Sequence, residues 1–167
     1  METKTLKMEI KWAIIFSVVG LIWMVLENVT GLHGKYIDYH MYLTNLFVVP
    51  AIYIMLRALQ EKKRIDYQGN MTYMQGLLSG LILSIFIAIL SPITQYITSY
   101  IIAPEYFENA IKRSVELGYF GTTEEAEAQF NFKNYVISGA IGALFMGIIT
   151  SAIAMIFIRT QKNANSR

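Results

Sequence analysis

The chain has 167 residues, 54% of them hydrophobic, a net charge of +2 and a mean hydropathy of +0.41, more apolar than a soluble domain of this size needs to fill one core. With no cysteine, disulfides, thiolate metal sites and thiol catalysis are excluded; no phosphate loop, nucleophile–base pair or nucleic-acid-binding constellation is present either. The apolar residues gather into four stretches, Trp12–Leu26, Tyr39–Leu56, Met71–Ala103 and Tyr135–Ile158. A hydrocarbon core of about 30 Å takes roughly 20 helical residues to cross and offers the backbone no hydrogen-bond partner, so four transmembrane helices are expected.

The first span, about residues 10–31, follows Lys4, Lys7 and Lys11 and reads as a retained anchor, with no small-x-small cleavage site after Leu26. Glu27 ends its fifteen uncharged residues. Ala13, Ser17, Gly20, Met24 and Glu27 step by four and three along one helix face, which should point into the bundle. Counted from Trp12, Glu27 lies about 22 Å along the axis, near the outer edge of the core. Tyr42, Asn45 and Gln95 fall at a similar level and with Glu27 form a candidate polar pocket, since intramembrane acids often mark binding or proton-sensitive sites. The shallow depth favours a plainer role: Glu27 reaching the headgroups, bonding a tyrosine or Gln95, or pairing with Lys35 or Lys133.

The turn "TGLHGKYIDYH" makes spans one and two an antiparallel hairpin. Its His33, Asp38 and His40 match no compact metal-ligand spacing and read as a solvated loop, so neither a metal nor a cofactor is expected. The second span covers about residues 39–59. The basic loop after it carries Lys62, Lys63 and Arg64, read first as a topology signal and second as a contact for anionic headgroups.

The third span, about residues 73–100, lies in an apolar stretch some 50 Å long as a straight helix, so it must tilt, bend or project; Pro92 predicts a kink near Ala88–Pro92. The segment 104–134 is an outer helical insertion holding Glu105, Glu108, Glu116, Glu124, Glu125 and Glu127. Within it "PEYFENAIKRSVELG" predicts a helix with an apolar stripe at Phe107, Ile111 and Val115. Thr122 and Glu125 predict a capping box on a second helix running into the fourth span, about residues 135–158.

In lipid, helices associate through close packing, and small residues four apart let backbones approach. Gly76, Gly80, Ser84 and Ala88 form one such ladder; Gly139, Ala143, Gly147 and Ser151 form another. Ladder against ladder within the chain is the first expectation, and a homo-oligomer through one ladder the second. Ten of the fourteen basic residues fall on one side of the implied topology, which predicts cytoplasmic termini.

The fold class is thus all-α, an integral membrane four-helix bundle forming a single domain over residues 1–167. The basic loop leading into "DYQGNMTYMQGLLSGLILSI", the "PEYFENAIKRSVELG" helix and "GAIGALFMGIITSAIAMIFIR" resemble a family of small bacterial four-span membrane proteins, common in Bacteroidetes-type bacteria and known only as a domain of unknown function. The resemblance implies an inner-membrane location and transfers no activity. A non-enzymatic accessory, scaffold or binding protein of the envelope is the leading expectation, with membrane lipids and a protein partner as its contacts and no nucleic acid. A small transporter or channel subunit, which would need midplane polar or discontinuous elements, comes second. A lipid-acting membrane enzyme comes third.

Overall fold

A computed structural model describes residues 6–160, all-helical and without strands among them. Four helical segments are long and apolar enough to cross a membrane: Lys7–Val29, Ile37–Ile65, Tyr73–Ile102 and Phe132–Ile158. The first is α1 (Lys7–Val29). The second is compound: α2 (Ile37–Leu43), a 3₁₀ turn (Thr44–Phe47) and α3 (Val48–Ile65). Pro50 accounts for the tightened turn, because it has no N–H to give the Leu46 carbonyl, and a 3₁₀ segment absorbs the missing bond.

α4 (Tyr73–Ile97) opens with a complete capping box, in which the Thr72 hydroxyl accepts from Gln75 N and the Gln75 side chain accepts from Thr72 N. It continues through Pro92, and the departure from α geometry comes later, in a π turn at Thr98–Ile102. The irregular turn, where Asn28 of α1 donates to the Ile102 carbonyl at 2.7 Å, lies nearer the helix end than the kink expected at Ala88–Pro92.

Two short helices follow, α5 (Tyr106–Glu116) and α6 (Thr123–Gln129), then α7 (Phe132–Ile158). α5 stops at Gly118, whose φ of 72° suits glycine. Its most buried residues are Ala110 and Ser114, one position round from the expected stripe, because small side chains let the helix sit close on the bundle. At α6 the Thr122 hydroxyl caps Glu125 N as expected, but Glu125 reaches back to Gly121 N instead of Thr122 N. Nor does α6 run into the fourth span: the chain breaks at Phe130, and Asn131 caps α7 afresh through Asn134 N.

α4 and α7 pack antiparallel along the two small-residue ladders. A Cβ at Gly76 would collide with Met155, one at Gly80 would stand 2.5 Å from Ser151 Cβ, and one at Gly147 2.7 Å from Ser84 Cβ. Ala143 packs against the edge of the core. Gly139 does not belong to the seam: a Cβ there meets nothing within 4 Å, because the residue faces a cavity. These small faces are filled within one chain, which is the first of the two arrangements expected for them.

The ends of α1, α3 and α7 that carry most basic residues meet at one end of the bundle. Lys62, 3% exposed, lies between Glu9 and Asp66 at 2.8 and 2.6 Å. Lys11 pairs with Glu61 at 2.8 Å, Trp12 Nε1 donates to the same carboxylate, Lys63 donates to the Ile158 carbonyl, and Thr160 bonds Met71 and Gly69. Lys62 and Lys63 are therefore internal ties, which corrects their reading as headgroup contacts. Above them Ala13, Leu59, Leu83, Ser84, Ser151 and Met155 are all at most 2% exposed and form the packed half of the bundle.

Candidate functional site

At the opposite end the packing loosens. A cavity of about 480 Å³ opens between α1, α3, α4 and α7, lined in part by Ser17, Gly20, Ala51, Ile87, Gly139 and Gly142. It shares Met24, Thr44, Asn45, Gln95 and Thr98 with a larger space of about 870 Å³ beneath α5, whose further lining includes His33, His40, Tyr42, Tyr106 and Arg113. Three of the four predicted pocket residues, Tyr42, Asn45 and Gln95, therefore line one cavity. Their bonds go elsewhere than to Glu27: Asn45 donates to the Met41 carbonyl at 2.6 Å and Gln95 to Ser99 Oγ at 2.8 Å, while Tyr42 is largely exposed.

Glu27 sits behind the cavity wall, 2% exposed, at the last turn of α1. Trp23, one turn earlier on the same face, donates its indole N–H to Oε1 at 2.5 Å. The other oxygen, Oε2, faces His33 Nε2 at 3.1 Å and His40 Nε2 at 3.3 Å. The chain brings both rings back to the helix end by reversing at Gly31, whose φ is 82°, with Leu32 N bonding the Glu27 carbonyl. His40 arrives from the last turn of α2. The expected solvated loop is thus folded inward, with His33 only 5% exposed. Glu27 meets neither Lys35 nor Lys133 in an ion pair; Lys35 Nζ stands over the Tyr36 ring at 4.9 Å.

α5 supplies the lid of this cluster. The Tyr106 ring packs on both imidazoles, at 5.2 Å from His33 and 5.0 Å from His40, and its hydroxyl lies 3.4 Å from His40 Nδ1 and 3.0 Å from the Tyr135 hydroxyl. Burial pushes the Tyr106 phenol far above its usual value, so it stays a neutral hydroxyl that can donate or accept. Asn109 donates to the His33 carbonyl at 3.0 Å, fixing the turn against α5. At the rim Arg113 forms a bidentate pair with Asp38 at 2.6 and 2.8 Å and also meets Glu116 at 3.0 Å, so α5 is tied to α2.

Glu27, His33 and His40 each offer one ligand atom, all within 4.8 Å of one another, and so are the residues that could hold a metal ion. The sequence held one signal for them that helix periodicity misses: its two histidines both lie within fourteen residues of the acid that closes the first span. Trp23 was legible as an i−4 neighbour; Tyr106, Tyr135 and Asn109 come from the distant insertion and α7, and no local pattern points to them.

No curated protein and no solved structure matches the chain. Residues 11–160 match a family described as protein of unknown function, DUF4199, which takes in all four membrane helices and the insertion between the last two. The chain therefore belongs to the DUF4199 family.

Proposed function

We propose that this protein is a non-enzymatic binding protein of the cell envelope, seated in the cell (inner) membrane with both termini cytoplasmic, that takes an amphiphilic envelope component into its loop-end cavity. The orientation rests on the bias of Lys and Arg toward the end where α1 begins and α7 finishes. The observation that carries the reading is the division of the bundle. Two joined cavities occupy the loop-end half, while the interior of the other half is close-packed around Leu59, Leu83, Ser84 and Met155, its recess of about 470 Å³ lying at the polar surface between Lys11, Arg57 and Arg64.

A blind space suits retention of a ligand and does not suit passage through the membrane, which needs a path continued to the far side. The larger cavity falls within the usual range of about 300–1,000 Å³ for small-molecule sites. Its deeper extension offers Met24, Ile87 and Ala51 to an apolar chain, and its mouth offers Tyr106, Gln95 and Arg113 to a polar head. The test is mass spectrometry of the full chain purified in mild detergent, beside Gly142→Leu. A Cβ at Gly142 meets nothing within 4 Å, so the leucine fills the cavity without forcing the helices apart. The wild type should retain one amphiphile per chain and the variant, equally stable, should lose it. A wild type that carries only detergent, or a variant that retains as much, refutes the reading.

A further inference from the structure

We propose that Glu27, His33 and His40 form a binding site for one divalent transition-metal ion of the zinc type, buried in the wall between α1 and the cavity. The site does not depend on an amphiphile occupying that cavity.

The geometry is that of a three-ligand site. Donors held about 2.0–2.1 Å from a tetrahedral ion stand about 3.3–3.5 Å from one another. Glu27 Oε2 lies 3.1 Å from His33 Nε2 and 3.3 Å from His40 Nε2, and the set closes within 4.8 Å, so a small movement of the two rings seats the ion. Two imidazoles and one carboxylate suit zinc and its neighbours cobalt, nickel and copper, whereas magnesium and calcium take oxygen-rich sets of six or more.

Burial argues the same way. A carboxylate only 2% exposed near the end of a membrane helix carries an uncompensated charge unless a cation or a set of donors faces it. The lysines and arginines do not: Lys35 stands over Tyr36, Arg113 is held by Asp38 and Glu116, and Lys62 is at the other end, so the facing groups are the neutral donors Trp23 and Thr44 and the two imidazoles. Nδ1 of the buried His33, on the far side of the ring from the three donors, has no partner among the described residues; with Nε2 on the ion it would carry the ring proton and take a water as its acceptor.

The surroundings already perform the supporting tasks of a metal site. The Trp23 indole engages Oε1 and leaves Oε2 for the ion, and the Tyr106 hydroxyl beside His40 Nδ1 can accept that N–H and so turn the Nε2 lone pair inward. Both histidines also line the cavity, which leaves a fourth position for water or for a donor atom of whatever enters there.

The full chain, freed of any affinity tag and stripped with chelator in detergent, is titrated with Co²⁺ as a visible probe and then with Zn²⁺ in competition. One Co²⁺ per chain with the intense absorption of a tetrahedral centre, displaced by one Zn²⁺, is the expected result. Glu27→Gln and His40→Ala should abolish stoichiometric binding, and Tyr106→Phe should weaken it about tenfold. Glu127→Gln, an exposed carboxylate of α6 remote from the triad, should leave it unchanged. Should the triad variants fail to fold, X-ray absorption on the wild-type Zn²⁺ form decides, with two imidazole ligands at about 2.0 Å expected. Absence of imidazole scattering, substoichiometric or featureless Co²⁺ binding, or equal binding in well-folded triad variants overturns the proposal and leaves a hydrogen-bonded cluster only.

Discussion

Replacing Gly80 by alanine would place a methyl group 2.5 Å from Ser151 Cβ, and closer still to the Ser151 hydroxyl. The hydroxyl can rotate away, but Cβ is fixed by the α7 backbone, so relief requires the two helices to separate by about 1 Å, up to ordinary carbon contact near 3.5 Å. A gap of that width forfeits roughly a quarter to a half of the dispersion energy of the atoms lining it, and overpacking of a tight interior costs typically about 1–3 kcal/mol. Because the Gly76–Met155 and Ser84–Gly147 contacts lie in the same seam, the upper end, about 3 kcal/mol, is the expected loss. Gly139→Ala is the control: its Cβ meets nothing, and the gain in helix propensity, up to about 1 kcal/mol, should leave it as stable as the wild type or slightly more so. Unfolding in mixed micelles followed by circular dichroism gives both values. Adding Ser151→Gly to Gly80→Ala removes the colliding atoms and should restore most of the loss, less the Ser151–Met55 contact at 3.6 Å, with a coupling energy of about 1–3 kcal/mol in the double-mutant cycle. Equal stability of Gly80→Ala and Gly139→Ala, or strictly additive effects in the cycle, would refute the argument from the seam.

At the basic end, Lys62→Met strands the buried Glu9 and the neighbouring Asp66 without their cation; a loss of about 3–5 kcal/mol is expected in the same unfolding assay, and adding Glu9→Met should recover much of it. Arg113→Gln breaks a tie that is more than a third exposed, so global stability should fall by no more than about 1 kcal/mol. Amide exchange within Tyr106–Glu116 should nevertheless quicken, because the α5–α2 tether is gone.

The membrane helices were legible because hydropathy is additive along a chain, and a run such as Gly76–Ala88 needs no partner to be recognised. The pairing of Gly80 with Ser151 was legible for a related reason: four-residue spacing of small side chains is a local pattern with one strong use in lipid. Glu27 was correctly placed on the inward face with Ala13, which is fully buried. Its partners were misjudged, because helix periodicity stops at Val29 and the return of His33 depends on the turn at Gly31 and on α5 covering it. The second reading of Lys62, as a headgroup contact, failed similarly. A lysine in a basic loop looks alike whether it faces headgroups or reaches inward to Glu9, fifty-three residues earlier in the chain. Gly139 shares the four-residue spacing of its ladder yet lines a void, because spacing says nothing about how far apart two helices stand at a given level.

The α4–α7 seam also bears on how the molecule is made. The atoms nearest to a Cβ at Gly76 or Gly80 all come from Met155 and Ser151 of α7. A nascent polypeptide with α4 inserted and α7 still to come therefore shows the lipid a glycine-floored furrow. Only when α7 follows does the furrow close and the Thr160 latch onto Met71 engage, so chains truncated before α7 are natural targets for membrane proteases.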